Sequence, residues 1–393
     1  MAEIKNLKKA AERIKKAIKN KERIILYGDA DLDGVSSVII LKETIKNLGG
    51  KIATVYFPDR EIEGYGLNED ALDELKKYAP ALLILLDCGI GNPQEVKLAK
   101  KLGFEVIIID HHVPLKKLPQ ANIIVNPKQA GDKYPFKEFA NAGLVFKLAE
   151  VLLNPVRDYR GRRKTHEKQI SNGVKRKLSV SLRNNFLELT ALATIADMMP
   201  QAEDNLEFIG EGLVSLKKTV RPGLKVFSGE HQKIISACHA GGTRNHLNEG
   251  YLLLTSALVE EAEVLGKELL EKANVRQERI REIVEELERR ISEDSIIFEG
   301  DKNWPVLMLG PAASKACHTH KKPVFLYGEN NQYCQGAVRT PQGIDGVKAM
   351  IHCSKLLETY GGHPQAAGFK IKKANLEKFK TCLIKYFAKC RKK

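Results

Sequence analysis

Long apolar runs, paired cysteines and repeats are what this sequence lacks. No apolar stretch reaches the roughly 20 residues that a membrane-spanning helix needs, so such a helix is excluded. No apolar h-region opens the chain. In the opening stretch MAEIKNLKKAAERIKKAIKNKER, Ile4, Leu7, Ala10, Ile14, Ala17 and Ile18 recur at helical spacing among lysines. That pattern predicts an amphipathic packing helix rather than a transit peptide. The cysteines (Cys88, Cys238, Cys317, Cys334, Cys353, Cys382 and Cys390) form no C-x-x-C pair. Without a secretory leader, this predicts reduced thiols in a cytoplasmic protein. Cys317-His318-Thr319-His320 has no second ligand pair at zinc-finger spacing. No internal repeat or low-complexity tract is present. Acidic residues are outnumbered, 49 against 64 Lys and Arg, for a formal charge of +15. Such a balance favours polyanionic partners, nucleic acid first.

What is present is apolar material for real cores, 43% of 393 residues, and a length that predicts two or three domains. Over residues 23–110, the runs RIILY, KIATVYF, ALLILLD and FEVIIID alternate with helical patterns. This is βαβ repetition and predicts a mostly parallel sheet, with strands buried on both faces. Helices are expected at 142–154 and 184–196. Between them lies a basic, Gly- and Ser-containing insertion at about 157–183. Residues 256–293 keep helical periodicity without a proline, so a long connecting helix is expected, weakened only by Gly266. The runs WPVLMLG, KPVFLYG and YCQGAVR with two further helices predict a second, smaller α/β domain.

Three of the first-domain strands run into polar clusters: Asp29/Asp31/Asp33, Asp87 and Asp110-His111-His112. Ligands of open α/β sheets bind beyond the carboxyl ends of strands, so these clusters converge. Three aspartates alternating along an extended segment repel one another unless a cation neutralises them, with Gly34 giving a tight turn. An EF-hand is set aside, because loop position 12 would be Ile40 and a strand precedes the loop. Of the two adjacent imidazoles, one can share a metal with Asp87 and the other can face substrate. Carboxylate with imidazole suits manganese or magnesium better than zinc. A cluster this size can hold two ions about 4 Å apart, the arrangement for phosphoester or phosphoanhydride hydrolysis.

DADLDG, LLDCGI and IIIDHHVP resemble the first three motifs of the DHH phosphoesterase superfamily. TIADMMP, with Asp197, resembles the fourth. YGGHPQAAGF resembles the Gly-Gly-His motif of the DHH-associated C-terminal domain. Within the superfamily the chain is most similar to RecJ-like single-strand exonucleases. The triple-aspartate form of the first motif, the PDREIEGYGLN segment and CHAGGTRN carry that likeness.

The resemblance implies a DHH domain over 1–215, a linker with the long helix over 216–295, and a substrate-binding domain over 296–393, with the active-site cleft between the domains. It implies that Asp31, Asp33, Asp87, His111 and Asp197 bind two divalent ions, Mn²⁺ in preference to Mg²⁺, with Asp87 bridging. Asp29 and Asp110 would be ligands or orient them, and His112 would touch the scissile phosphate. Arg60, Arg244, Arg339 and His363 would hold substrate phosphates, with Gly361 and Gly362 admitting the strand. The implied activity is 5′-to-3′ exonucleolytic release of 5′-mononucleotides from single-stranded nucleic acid, DNA ahead of RNA. Replication or repair proteins are the implied partners, with no membrane. The alternatives are a nanoRNase-type hydrolase of short oligoribonucleotides or cyclic dinucleotides, and an inactive replication scaffold. Three departures stand out. Many relatives have a histidine at the place of Tyr27, which predicts a weaker hold on the first metal. The fourth motif continues QAEDNLEF without an arginine, and no segment fits the OB-fold of larger bacterial relatives.

Overall fold

A computed structural model describes residues 3–60, 62–114, 117–153, 179–329 and 332–390, with residues 389 and 390 described by backbone alone. The chain divides into two units, Met1–Ala273 and Asn274–Lys393.

In the first unit, strands β1 (Ile24–Gly28), β2 (Thr54–Tyr56), β3 (Ala81–Leu86), β4 (Phe104–Ile109) and β5 (Ile123–Val125) form one sheet. Their order is β2-β1-β3-β4-β5 and all pairs are parallel. From β1 the chain adds β2 on one side and β3 on the other, so the strand order switches between β1 and β3, and this switch point opens a crevice at the strands' carboxyl ends. Every residue of β1 and β3 is buried, which explains their unbroken apolar sequences. One face is covered by α1 (Leu7–Lys19), α2 (Leu32–Asn47), α5 (Asn141–Leu153) and α6 (Val180–Ala196). The other is covered by α3 (Glu69–Leu75) and α4 (Pro93–Lys101). Leu26 and Ile84 are fully buried; each such side chain contributes about 2 kcal/mol.

The rest of this unit is helical: α7 (Glu203–Leu216), α8 (Pro222–Lys225), α9 (His231–Ala240), α10 (Glu249–Thr255) and the first part of α11 (Val259–Glu288). A short hairpin, β6 (Thr243–Arg244) with β7 (Leu247–Asn248), precedes α10. Leu224, Phe227, Ile234, Tyr251, Leu253 and Leu269 join the first unit's core. The span 216–273, expected as linker, is therefore packed structure. Gly266 lets α11 approach α8, since a Cβ there would lie 3.3 Å from Val226 and 3.4 Å from Phe227.

Three elements differ from expectation. β5 spans only three residues, too short for a visible alternation. α2 starts at Leu32, so Asp33 and Gly34 occupy its first turn and the triple aspartate is not an extended segment. α6 starts at Val180, where Ser179 accepts from the Leu182 amide (3.1 Å), so the end of the basic insertion is helix. The remainder of that insertion, 157–178, lies outside the described residues.

The second unit holds α12 (Val306–His320), α13 (Gly346–His352), α14 (Leu376–Cys390) and a mixed sheet. Its strands are β8 (Ile297–Asp301), β9 (Val324–Glu329), β10 (Tyr333–Arg339), β11 (Leu357–His363) and β12 (Ala366–Lys372). The order is β11-β12-β10-β9-β8, with only β8 and β9 parallel. Phe379, Leu383 and Phe387 of α14 pack with Phe298, Phe325 and Phe369. Cys353 and Cys382 are bonded as a disulfide, which corrects the expectation of reduced thiols throughout. The partners are 29 residues apart and meet only because α13 docks on α14. Cys88, Cys238, Cys317 and Cys334 are free and buried. His320 pairs with Glu288 (2.8 Å), and the acid, histidine and cysteine clusters of the described residues do not include Cys317.

Candidate metal centre

The switch point between β1 and β3 brings the aspartates together. Asp29 leaves β1 with its amide donating to the Leu86 carbonyl (3.1 Å), which ties it to the end of β3. Asp31 caps α2, accepting from the amides of Asp33 and Gly34 (3.0 Å each). Asp33 sits in the first turn of the helix and is buried. Gly34 is needed because a Cβ there would lie 2.2 Å from the Asp29 carbonyl oxygen. Asp87 follows β3 with φ of 63°, a left-handed conformation costly for a residue with a Cβ.

Asp33, Asp87 and His111 are all buried and offer ligand atoms within 4.8 Å of one another. Asp29, Asp31 and Asp87 bring ligand atoms equally close, as do Asp87, Asp110 and His112, although Asp31 and His112 are only partly buried. Asp87 belongs to all three groups. Asp197, at the C-terminal end of α6, brings its Oδ2 within 3.6 Å of His111 Nε2.

The hydrogen bonding of His111 fixes what these groups need. Its Nδ1 lies 2.7 Å from the Phe139 carbonyl oxygen. A carbonyl only accepts, so Nδ1 carries the proton. Nε2 then turns its lone pair toward Asp87 Oδ1 (3.2 Å), Asp197 Oδ2 (3.6 Å) and Asp33 Oδ2 (3.9 Å). Asp87 Oδ1 and Asp197 Oδ2 are themselves buried with no hydrogen-bond donor among the described residues. Lone pairs facing one another in a desolvated site require a cation or protons. The donor set, carboxylate oxygens with one imidazole nitrogen, fits a divalent ion such as manganese or magnesium.

Titration points the same way. Burial, then the charges of Asp33 and Asp31, pushes the Asp87 carboxyl well above its ordinary range. Burial, Asp197 and Asp31 do so for Asp33, against two amide hydrogen bonds. Burial and Asp31 raise Asp197 to about 7. His112 behaves oppositely. Burial opposes its charge, but Asp110 Oδ1, 2.8 Å from Nδ1, outweighs this and raises it to about 9. Asp110 also accepts from the Ile90 and His112 amides (3.0 and 3.1 Å), so it orients His112.

Several residues lie elsewhere than their implied roles suggest. Arg60 is bound to Asp29 (2.7 and 3.1 Å) and Asp31 (2.9 Å) rather than standing open to a phosphate. Against the cost of burial, it holds the Asp31 carboxyl below the usual carboxylate range. Arg244, at the β6–β7 hairpin, pairs with Glu249 (2.6 Å) and Glu268 (3.3 Å). Tyr27 is fully buried, donates its hydroxyl to the Gly66 carbonyl (2.8 Å) and stacks on Tyr56. In the second unit, Arg339 on β10 and His363 on β11 are both in register with Ala366 of β12. Arg339 Nε donates to Ser314 (3.0 Å). Gly361 and Gly362 lie exposed on edge strand β11, with Gly362 at φ of 126°. A Cβ on Gly361 would meet nothing.

Asn141 and Ala142 do not stand out in the sequence. Their amides donate to Asp33 Oδ2 and Oδ1 (2.6 and 2.7 Å) and aim the start of α5 at the carboxylate. With its amide oriented to satisfy both atoms, Asn141 accepts from Asp87 N and donates to Ile109 O (2.9 Å each). The only signal is an asparagine beside an expected helix start.

Residues 23–194 match the family model for the DHH family, N-terminal domain, and residues 293–389 match the DHHA1 domain. The chain is 33% identical over 389 residues to the single-stranded-DNA-specific exonuclease RecJ of Bacillus subtilis (strain 168), covering 94% of this chain and 46% of that protein. It is 27% identical over 410 residues to the RecJ of Escherichia coli (strain K12), covering 96% and 68%. It thus spans about half the length of the Bacillus relative. A crystal structure of an exonuclease RecJ bound to manganese superposes with a TM-score of 0.74 at 28% identity, over 98% of this chain and 95% of that one.

Proposed function

The chain belongs to the DHH family, by its DHH domain at 23–194 and DHHA1 domain at 293–389, and we propose that it is a two-metal phosphodiesterase that degrades single-stranded DNA from the 5′ end. The observation that carries this reading is the set of lone pairs converging on His111 Nε2, with Asp87 shared among three ligand groups. The Bacillus and Escherichia RecJ relatives are single-stranded-DNA-specific exonucleases, which supports the substrate, and an exonuclease RecJ has been crystallised with manganese, which supports the metal.

Asp31, Asp33, Asp87, His111 and Asp197 would hold two ions. Bound divalent ions supply Lewis acidity to the phosphoryl oxygens and a water of lowered pKa. The chain's own residues do the rest. Asp110 keeps His112 protonated near neutral pH, so its Nε2–H can donate to an oxygen of the scissile phosphate. Arg60 and Arg244 exchange carboxylate partners for strand phosphates, whose oxygens suit the guanidinium fork. Arg339, His363 and the edge at Gly361–Gly362 take further phosphates. Attack by water breaks the bond between phosphorus and the 3′-oxygen of the terminal nucleotide. The 3′-oxygen takes a proton, a 5′-mononucleotide leaves, and the shortened strand keeps a 5′-phosphate.

The test is incubation with Mn²⁺ and end-labelled single-stranded DNA, RNA or a dinucleotide, each with and without a 5′-phosphate. Mononucleotides should appear from DNA in 5′ order, and EDTA or Asp87→Asn should abolish them. Cleavage of the RNA dinucleotide alone would favour the nanoRNase-type alternative. Activity persisting in Asp87→Asn would defeat the metal assignment.

A further inference from the structure

We propose that a cavity beside the C-terminal half of α2 is a second binding site, for a small phosphate-bearing ligand of mononucleotide size, separate from the carboxylate cluster. The inference rests on this cavity alone and not on the proposed nuclease activity. The cavity has a volume of about 310 Å³ and is walled by α2, α6, the α7–α8 connection and the end of α10, all within the first unit.

Its charged lining is three cations, Lys42, Lys46 and Arg221, and one carboxylate, Glu43, beside the polar Asn185, Thr255 and Ser256. Lys42 and Lys46 stand one turn apart on the same face of α2. Glu43, between them, has both carboxylate oxygens engaged by Arg221, at 2.9 and 3.0 Å. Arg221 Nη1 also donates to the Leu254 carbonyl (2.9 Å). The Arg221 side chain is only 8% exposed. Its Nε–H is nevertheless buried with no acceptor among the described residues. Lys42 donates to the Tyr251 hydroxyl and lies 4.8 Å above that ring. Among the described residues neither lysine has an ion-pair partner. Three cations thus face one carboxylate that is already engaged.

An anion answers each of these features. It would balance the Arg221 guanidinium and the Lys46 ammonium that line the cavity. It would also neutralise Lys42, whose pKa burial lowers. Phosphate fits by charge and by number of acceptor oxygens. The volume is that of a small-ligand pocket rather than of a bare ion. Ile39, Val220 and Pro222 add apolar wall for a sugar or base. Asp33 lies in the first turn of α2 and Lys46 near its end. At 1.5 Å per residue the two are about 20 Å apart along the axis. One small ligand cannot touch both.

The experiment is calorimetric titration of the full chain in EDTA with dAMP, inorganic phosphate and deoxyadenosine. Saturable binding of dAMP, none of deoxyadenosine, and at least about tenfold weaker binding in Lys42→Gln/Lys46→Gln are expected, tenfold being what loss of ~1.4 kcal/mol produces. Circular dichroism establishes that this variant is folded, and Arg60→Gln/Arg244→Gln should bind dAMP as the parent does. Phosphate binding as tightly as dAMP would make the free anion the ligand and still support the site. No saturable binding, equal binding of deoxyadenosine, or loss in the Arg60/Arg244 variant with retention in the lysine variant would overturn the proposal.

Discussion

Asp33, Asp87 and Asp197 keep protons at pH values where an ordinary aspartate has lost them, because burial and mutual repulsion disfavour their charged forms. The sign of the consequence follows from linkage. Between the unfolded carboxyl pKa, about 4, and the raised folded values, the native state binds more protons than the unfolded chain. The metal-free protein therefore loses stability as pH rises through this window, which for Asp197 ends at about 7. Ligation needs the deprotonated forms. The gain in melting temperature from Mn²⁺ should therefore be larger at pH 8 than at pH 5.5, in paired melts with Mn²⁺ and with EDTA. A pH-independent gain would contradict the site. Asn141→Ala keeps the backbone amide on Asp33 but removes the side chain that bridges Ser37, Asp87 and Ile109. It should weaken Mn²⁺ binding by about 10–100-fold, the usual effect of losing a group that orients ligands; calorimetry would reveal an unchanged affinity. The acids and histidines are readable in the sequence because each ends an apolar strand or sits in a motif. Asn141 and the Phe139 carbonyl are not, since their roles exist only once α5 lies against α2. Nor does the sequence indicate that Arg60 settles on Asp29 and Asp31, a pairing that depends on the loop after β2.

Among the elements, the parallel strands are the most readable, because strands buried on both faces are apolar without interruption. Element starts are less so. Alternating aspartates suggest extension, whereas the Asp31 carboxylate supplies the cap that lets α2 begin at Leu32. The link between α13 and α14 is invisible for another reason, since cysteine spacing alone does not fix connectivity. A bond closing 29 residues restricts the unfolded chain by about 3–4 kcal/mol in the chain-entropy view. Cys382→Ser, or reduction, should lower the melting temperature of the second unit, and peptide mapping without reductant should recover the 353–382 pair. Identical melts before and after reduction would argue that the link contributes nothing.

For the whole molecule, the excess of 15 positive charges is the broadest statement about partners, and electrostatic binding to nucleic acid is salt-dependent. Reversing Arg157, Arg160, Arg162 and Arg163 in the basic insertion should weaken single-stranded DNA binding. It should also make log K against log salt shallower by about 0.7 for each phosphate that is no longer neutralised. An unchanged slope in fluorescence anisotropy would separate the insertion from the DNA. The division into two units is legible in the sequence, but there 216–273 reads as a connection. The short helices α8 to α10 give weak periodic signals, and their apolar residues reveal a core only when seen beside α2 and α6.

The grip of the α5 amides on Asp33 has a consequence for how the chain tolerates scarcity. The carboxylate is held by backbone groups that exist whether or not an ion is present, and Asp31 is held in the same way at the start of α2. The ordering of these two carboxylates is completed during folding, before any ion would be captured. A chain synthesised in a metal-poor cell would wait with this part of the candidate site assembled. Reactivation would then be a matter of ion supply rather than of refolding.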